Sequence, residues 1–336
     1  MCICFFEYNR GMIEYDIAFM GGGVRGIAHA GVIVALEDAG YMPRRVCGTS
    51  AGAIVAALVA AGYSGKELRQ ILLELNYTQF KSRSYATSGL FGEFLHLRKD
   101  YGIYSADFFE DWLAGLLKAK GKSVFGDLGS AVGIQDAPLL ITAADLTTRQ
   151  LLVFPQDATL FGWNPKHFSI AKAVRMSMSI PLFYEPYRMT DTNGKECLIV
   201  DGGIFCNYPI GLLDDTCSTP TLPIFGARFV ECSKSNATKT KFFKLTEYIE
   251  MVIGAVLDAQ NHTGVQSTQG DAMRTISISG CVEGENVKTT DFNISKKTAA
   301  ALFDNGYNAT KALLENWNFE QWVAYRKSRT KVLDNG

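Results

Sequence analysis

The sequence predicts an α/β protein of three layers, with a central and mostly parallel sheet flanked by helices. Three observations carry this reading. Short apolar runs of strand length alternate with stretches of helical period. Two of those runs end in glycine-rich turns that lead directly into helices. The stretch 53–61 is apolar on every side, and a helix of that kind must lie inside a domain. Strands and helices alternating in this way bury a sheet on both faces.

Residues 15–20 favour a strand, which Gly21-Gly22-Gly23 breaks before a helical stretch over 27–39 closed by Gly40. A second short strand, 45–47, runs into Gly48-Thr49-Ser50-Ala51-Gly52, and the apolar helix follows until Gly62. Ser64 and Glu67 have the Ser-x-x-Glu spacing of a capping box, so the next helix opens there and extends to residue 75. Further strands are expected over 139–143, 151–154 and 197–200, the last ending at Asp201-Gly202-Gly203. Apolar residues at 242, 245, 249, 252, 253, 256 and 257 have the spacing of a helix with one buried face. Residues 214–223, with two aspartates and two prolines, read as a loop. No internal repeat or low-complexity block divides the chain. Residues 13–320 are therefore expected to form one domain, with an N-terminal extension over 1–12 and a C-terminal tail over 321–336.

Hydrophobic residues make up 47% and charged residues 20% of the 336, with a formal net charge of -1. That is the composition of a globular protein with a large core. It offers no basic excess to draw a nucleic acid or an anionic membrane, so any membrane contact must be local and largely apolar. Glu7 interrupts the apolar N-terminus before a signal-peptide core can form, and the longest apolar run, 51–61, is too short for a membrane span. A cytoplasmic protein, at most peripheral at membranes, is the expectation. Eight cysteines are scattered without a C-x-x-C pair or a cluster with histidine, which suits reduced thiols and no structural metal.

Gly48-x-Ser50-x-Gly52 has the spacing of a nucleophile elbow, in which a tight strand-to-helix turn presents a serine hydroxyl. A side chain at either glycine would collide with neighbouring backbone, and the helix N-terminus behind Ser50 favours developing negative charge. The same residues also suit a plain turn with a capping serine, but the strand before and the apolar helix after favour a nucleophile. Gly21-Gly22-Gly23-Val24-Arg25-Gly26 stands at another strand-to-helix junction, where free N–H groups converge and can hold an oxyanion. It also matches G-x-G-x-x-G at Gly21, Gly23 and Gly26, so a dinucleotide-binding oxidoreductase is the rival. That fold asks for an Asp or Glu at the end of the next strand. Here the strand ends at Cys47 and enters the elbow, leaving only Arg44 and Arg45 for a 2′-phosphate. Asp201 ends an apolar strand and would lie at the same sheet edge as both glycine turns, although an Asp-Gly pair also makes an ordinary turn. Of the four histidines, 29, 96, 167 and 262, only His262 has the chain order to complete a Ser-Asp-His triad. Its polar neighbours read as solvated surface.

With these three elements in this order, the sequence resembles the patatin-like phospholipases, lipid acyl hydrolases that use a Ser-Asp dyad. Gly21 to Gly26 with Arg25 resembles the family's glycine-rich oxyanion loop, Gly48 to Gly52 its elbow, and Asp201-Gly202-Gly203 its Asp-Gly-Gly. Residues 177–183 and Asn207-Tyr208-Pro209 agree with family habit, so the resemblance spans 13–215, and Asp291-Phe292 before a last helix suits the usual ending. The resemblance implies a patatin-like fold, Ser50 as nucleophile, Asp201 as its base, and an oxyanion hole in the Gly22-Gly23-Val24-Arg25 stretch. Arg25 itself would orient the loop, face a lipid phosphate, or serve structure alone. The resemblance further implies a phospholipid or other acyl-lipid substrate met at a membrane surface, with no cofactor, metal or nucleic acid. A catalytically silent lipid-binding protein on the same shell is the alternative outside enzymology.

Other candidates have plainer readings. Asp145 ends a strand and suits a turn or cap. Phe91, Phe94, Phe108, Phe109 and Trp112 read as core, and Lys118, Lys120 and Lys122 as favourable charge after a helix C-terminus. Residues 88–97, apolar with glycines and preceded by Lys81 and Arg83, are either buried helix positions or an entrance for lipid.

Overall fold

The computed structural model of the protein describes residues 11–76, 79, 101–214, 220–231, 256 and 269–333. The expected helix over 242–257, the 88–97 segment and His262 lie outside the described residues, apart from Val256. Among the described residues ten strands have three residues or more: β1 (Ile13–Phe19), β2 (Tyr41–Thr49), β3 (Gly102–Tyr104), β4 (Leu139–Asp145), β5 (Gln150–Phe154), β6 (Leu182–Tyr184), β7 (Tyr187–Thr190), β8 (Glu196–Asp201), β9 (Ile224–Val230) and β10 (Thr275–Ser279). The described helices are α1 (Ile27–Asp38), α2 (Ala51–Ala60), α3 (Gly65–Glu74), α4 (Asp107–Ala119), α5 (Ile170–Ser177), α6 (Gln269–Arg274), α7 (Lys296–Asn316) and α8 (Phe319–Leu333).

The strands in the order β10-β9-β1-β2-β4 are parallel. Beyond β4 the sheet turns antiparallel, because β5 and β8 both pair with β4 and β7 pairs with β8. The sheet is mixed but mostly parallel. Strands buried on both faces read as near-continuous apolar runs, and β1 and β4 do so. Tyr15, Ile17, Phe19, Leu139, Ile141 and Ala143 belong to the larger core, whereas Ala18 and Leu140 belong to a smaller one. Each large side chain removed from water in this way stabilises the fold by about 1.5–3 kcal/mol.

The apolar helix is central, as its composition requires: in α2 every residue except Ile54 and Ala60 is buried. Ser64 caps α3 by accepting from the Glu67 amide at 3.3 Å, while Glu67 accepts from the Ser64 amide at 2.8 Å. Asp145 serves a turn, accepting from the Thr147 amide at 2.8 Å and the Thr148 hydroxyl at 2.7 Å. Phe109 is core, Trp112 packs half-buried against it, and Phe108 is exposed.

α8 runs across residue 320, and its Trp322 is fully buried in the smaller core with Ile210 and Leu213. Two features depart from expectation, the exposed Phe108 and the state of one cysteine. Cys47, Cys197 and Cys206 are free, but Cys281 is disulfide-bonded, against the reduced state expected throughout. No helix among the described residues is long and apolar enough to cross a membrane.

Candidate active site

β2 delivers Thr49 into a corner with no room for side chains. A Cβ on Gly48 would stand 2.3 Å from the Gly52 carbonyl oxygen, and one on Gly52 would stand 2.3 Å from that of Phe19. Ser50 takes the strain of the turn, with φ 54° and ψ -126°. Positive φ at a non-glycine residue costs on the order of 1–3 kcal/mol and persists only where the surroundings over-determine it. One such surrounding is Ser177 at the end of α5, whose Oγ accepts from the Ser50 amide at 2.9 Å. Ser50 then opens α2, with its side chain at the positive end of the helix dipole.

Asp201 comes to the Ser50 edge of the sheet on an antiparallel strand. β2 pairs Thr49 with Thr142 of β4, and β8 pairs Asp201 with Ala143, the next residue. The hydroxyls of Thr49 and Thr142 lie 2.6 Å apart between them. Gly202 must be glycine, since a Cβ there would meet the Thr142 carbonyl oxygen at 2.6 Å. The Asp201 amide donates to the Ser179 carbonyl at 2.8 Å, and Oδ1 accepts from the Gly203 amide at 2.7 Å.

The Asp201 carboxyl is 1% exposed. Burial pushes its pKa up to about 7, against a smaller lowering by the Ser50 hydroxyl and the Gly203 amide. Oδ2 has no partner that meets full hydrogen-bond geometry, although the Ser50 hydroxyl lies close enough to lower the carboxyl's pKa. Catalytic hydrogen bonds often tighten only with substrate in place. The pair thus presents a serine hydroxyl to a desolvated carboxyl with one unspent oxygen.

The glycine-rich loop follows β1. Gly21 donates to the Asn207 carbonyl at 3.1 Å, and Gly23, at φ +54°, turns the chain into a single 3-10 turn, Gly23–Gly26. The turn commits two of the expected oxyanion donors elsewhere. Val24 donates to the Thr289 carbonyl at 3.1 Å and Arg25 to that of Gly22 at 3.2 Å. Neither the Gly22 nor the Gly23 amide donates to a described residue. The Arg25 side chain points inward: Nη2 donates to Thr289 Oγ1 at 3.0 Å and the guanidinium lies 5.0 Å from the Phe229 ring. It holds the loop. Phe229 also backs Gly22, where a Cβ would meet its ring at 2.4 Å.

His29 lies under the same loop, fully buried, its Nε2 2.9 Å from the Met20 carbonyl and its ring between Phe19 and Phe229. Burial lowers its pKa to about 4, so it stays neutral and structural. Arg44 and Arg45 both engage the buried Asp16, Arg44 through two bonds of 3.0 and 2.7 Å, and are spoken for as phosphate ligands. The segments of Ser177 and Asn207 stand out in the sequence only by resemblance, without a role, and no local pattern marks Thr289 or Phe229.

A cleft with about 540 Å³ of empty space, part of it open to solvent, begins at Ser50. Ile54 and Val55 of α2, Leu72 of α3 and Leu75 just past its end, and Met178 and Ile180 after α5 line it. Apolar walls converging on one nucleophile suit a flexible hydrocarbon chain. Among the described residues, no group of three His, Cys, Asp or Glu converges as a metal ligand set.

Residues 17–214 match the family described as patatin-like phospholipase. The chain is 33% identical to the uncharacterized protein YqhO of Bacillus subtilis over 306 residues, which cover 90% of this chain and 99% of that one. It is 28% identical to the cUMP-AMP-activated phospholipase of Escherichia coli over 214 residues, 60% of this chain and 58% of that one. Among solved structures, VipD from Legionella pneumophila aligns with a TM-score of 0.49 at 17% identity, covering 90% of this chain and 67% of that one.

Proposed function

The chain belongs to the patatin-like phospholipase family, a family of lipid hydrolases, and from that premise we propose that it cleaves fatty-acyl esters of phospholipids or lysophospholipids through a Ser50-Asp201 dyad. The observation that carries the reading is a buried carboxyl with an unspent oxygen beside a serine held at positive φ. Asp201 Oδ2 takes the Ser50 proton as Oγ attacks the acyl carbonyl. The Gly22 and Gly23 amides, both uncommitted and the latter on the cleft wall, receive the oxyanion as it forms. The intermediate collapses to an acyl-enzyme, and the leaving alkoxide takes the proton from Asp201. Water then attacks the acyl-enzyme with Asp201 again as base, and the fatty acid leaves with Ser50 reprotonated. An ordinary carboxylate is a poor base for an alcohol, and burial of the kind seen at Asp201 raises its basicity. Transient contact with a membrane surface supplies the acyl chain.

The test is Ser50→Ala in the full chain, assayed on short acyl esters and with a serine-directed fluorophosphonate. Hydrolysis and labelling should both vanish while the melting curve stays cooperative. A wild-type protein that binds lipid but neither hydrolyses esters nor takes the label would be a lipid-binding protein instead.

A further inference from the structure

The cleft has a wall that comes from far outside the family match. Thr289 to Phe292 precede α7, well beyond residue 214, yet Phe292 lines the cleft that begins at Ser50. Its ring is 7% exposed and stacks on Phe183 with centroids 5.4 Å apart and planes 21° from parallel. Phe183 is gripped in turn by Tyr104 and Tyr184, each with centroids at 4.8 Å. The backbone behind the ring is equally fixed. The Phe292 amide donates to the Thr290 carbonyl at 3.0 Å, and that of Asp291 donates to the Lys288 carbonyl at 3.1 Å.

Thr289 ties this segment to the glycine loop. Its carbonyl accepts from Val24, its hydroxyl accepts from Arg25, and a Cβ on Gly23 would stand only 2.0 Å from its carbonyl oxygen. One anchor therefore sets both the position of the Gly23 amide and the position of the Phe292 ring. A large ring that cannot swing aside limits how much hydrocarbon the cleft admits, because packed walls yield little to an oversized guest.

We propose that Phe292 is a specificity-determining residue that sets the length of acyl chain the cleft accepts. The inference rests on the reading that this cleft receives the acyl chain. Each further methylene taken out of water tightens binding by about fourfold, so opening the wall should favour chains that reach past the ring.

Saturated fatty acids from octanoate to stearate, titrated calorimetrically into the full chain, measure the wall without requiring hydrolysis. The matching 4-nitrophenyl esters measure it through kcat/KM. Wild-type affinity should climb with chain length and then level off. Phe292→Ala should move that break to longer chains and raise the ratio of long-chain to short-chain kcat/KM at least tenfold, with Phe292→Leu between. A chain-length profile unchanged in both variants, or a loss equal at every length, would overturn the assignment, as would wild type binding none of the fatty acids. If fatty acids bind with the shifted profile while no ester is cleaved and no fluorophosphonate label enters, the wall stands and the hydrolytic reading falls.

Discussion

Asp201 holds the charge that its proposed catalytic role needs and that its burial resists, so Asp201→Asn should stabilise the protein increasingly as pH rises from 3.8 to about 7. Lifting the carboxyl from its ordinary 3.8 to about 7 means that ionising it in the fold costs ~4 kcal/mol more than in the unfolded chain, at about 1.36 kcal/mol per tenfold change in proton affinity. Below pH 3.8 both states keep the proton and the penalty is absent. It grows as the unfolded carboxyl ionises and saturates above pH 7, so stability is lost as pH rises through that window. The linkage relation gives a penalty of ~2 kcal/mol at pH 5 and ~4 kcal/mol at pH 9. Asparagine is neutral throughout and can still accept from the Gly203 amide. The variant's advantage over wild type in urea unfolding should therefore grow by about 2–3 kcal/mol between pH 5 and pH 9. Turnover should meanwhile fall by roughly 10⁴-fold, as when a base is removed from other serine hydrolases. An advantage that is flat with pH, or shrinks as pH rises, would refute the assignment of Asp201 as a desolvated carboxyl.

Three further outcomes follow from the same geometry. Wild-type kcat/KM should rise about tenfold per pH unit below pH 7 and level above it, since only ionised Asp201 can take the serine proton; a limb near pH 4 in the rate profile would remove the raised pKa from the mechanism. Gly22→Ala drives a Cβ to 2.4 Å from the Phe229 ring and should lower kcat by about 10²–10³ through displacement of an oxyanion donor, with partial recovery when Phe229→Leu is added and kcat is measured again. His262→Ala should leave turnover within a few-fold, and a loss as deep as that of Asp201→Asn, read in the same assay, would make this a triad hydrolase.

Much of the site is legible in the chain because its causes are local. Gly48, Ser50 and Gly52 announce their turn through sterics that act over five residues, and Ser64 and Glu67 announce a helix start through bonds across one turn. The strands were read short by a few residues at β2 and β4, since edge positions such as Tyr41 and Asp145 lack the apolar pattern and gain their pairing only from neighbours.

What the sequence alone determined was the layered fold and the two residues, Ser50 and Asp201, proposed as nucleophile and base, because turn sterics and strand periodicity depend on residues close in the chain. Tertiary structure decided the rest. Only the pairing of Ala143 with Asp201 shows that this aspartate arrives on an antiparallel strand. Only the approach of Thr289 shows that Val24 has spent its amide and Gly22 has not, and only burial raises the Asp201 pKa. Trp322 became core and Phe292 became a wall of the cleft for the same reason. Each depends on contacts between residues far apart in sequence, and a free amide or a desolvated carboxyl is defined by what surrounds it rather than by what adjoins it.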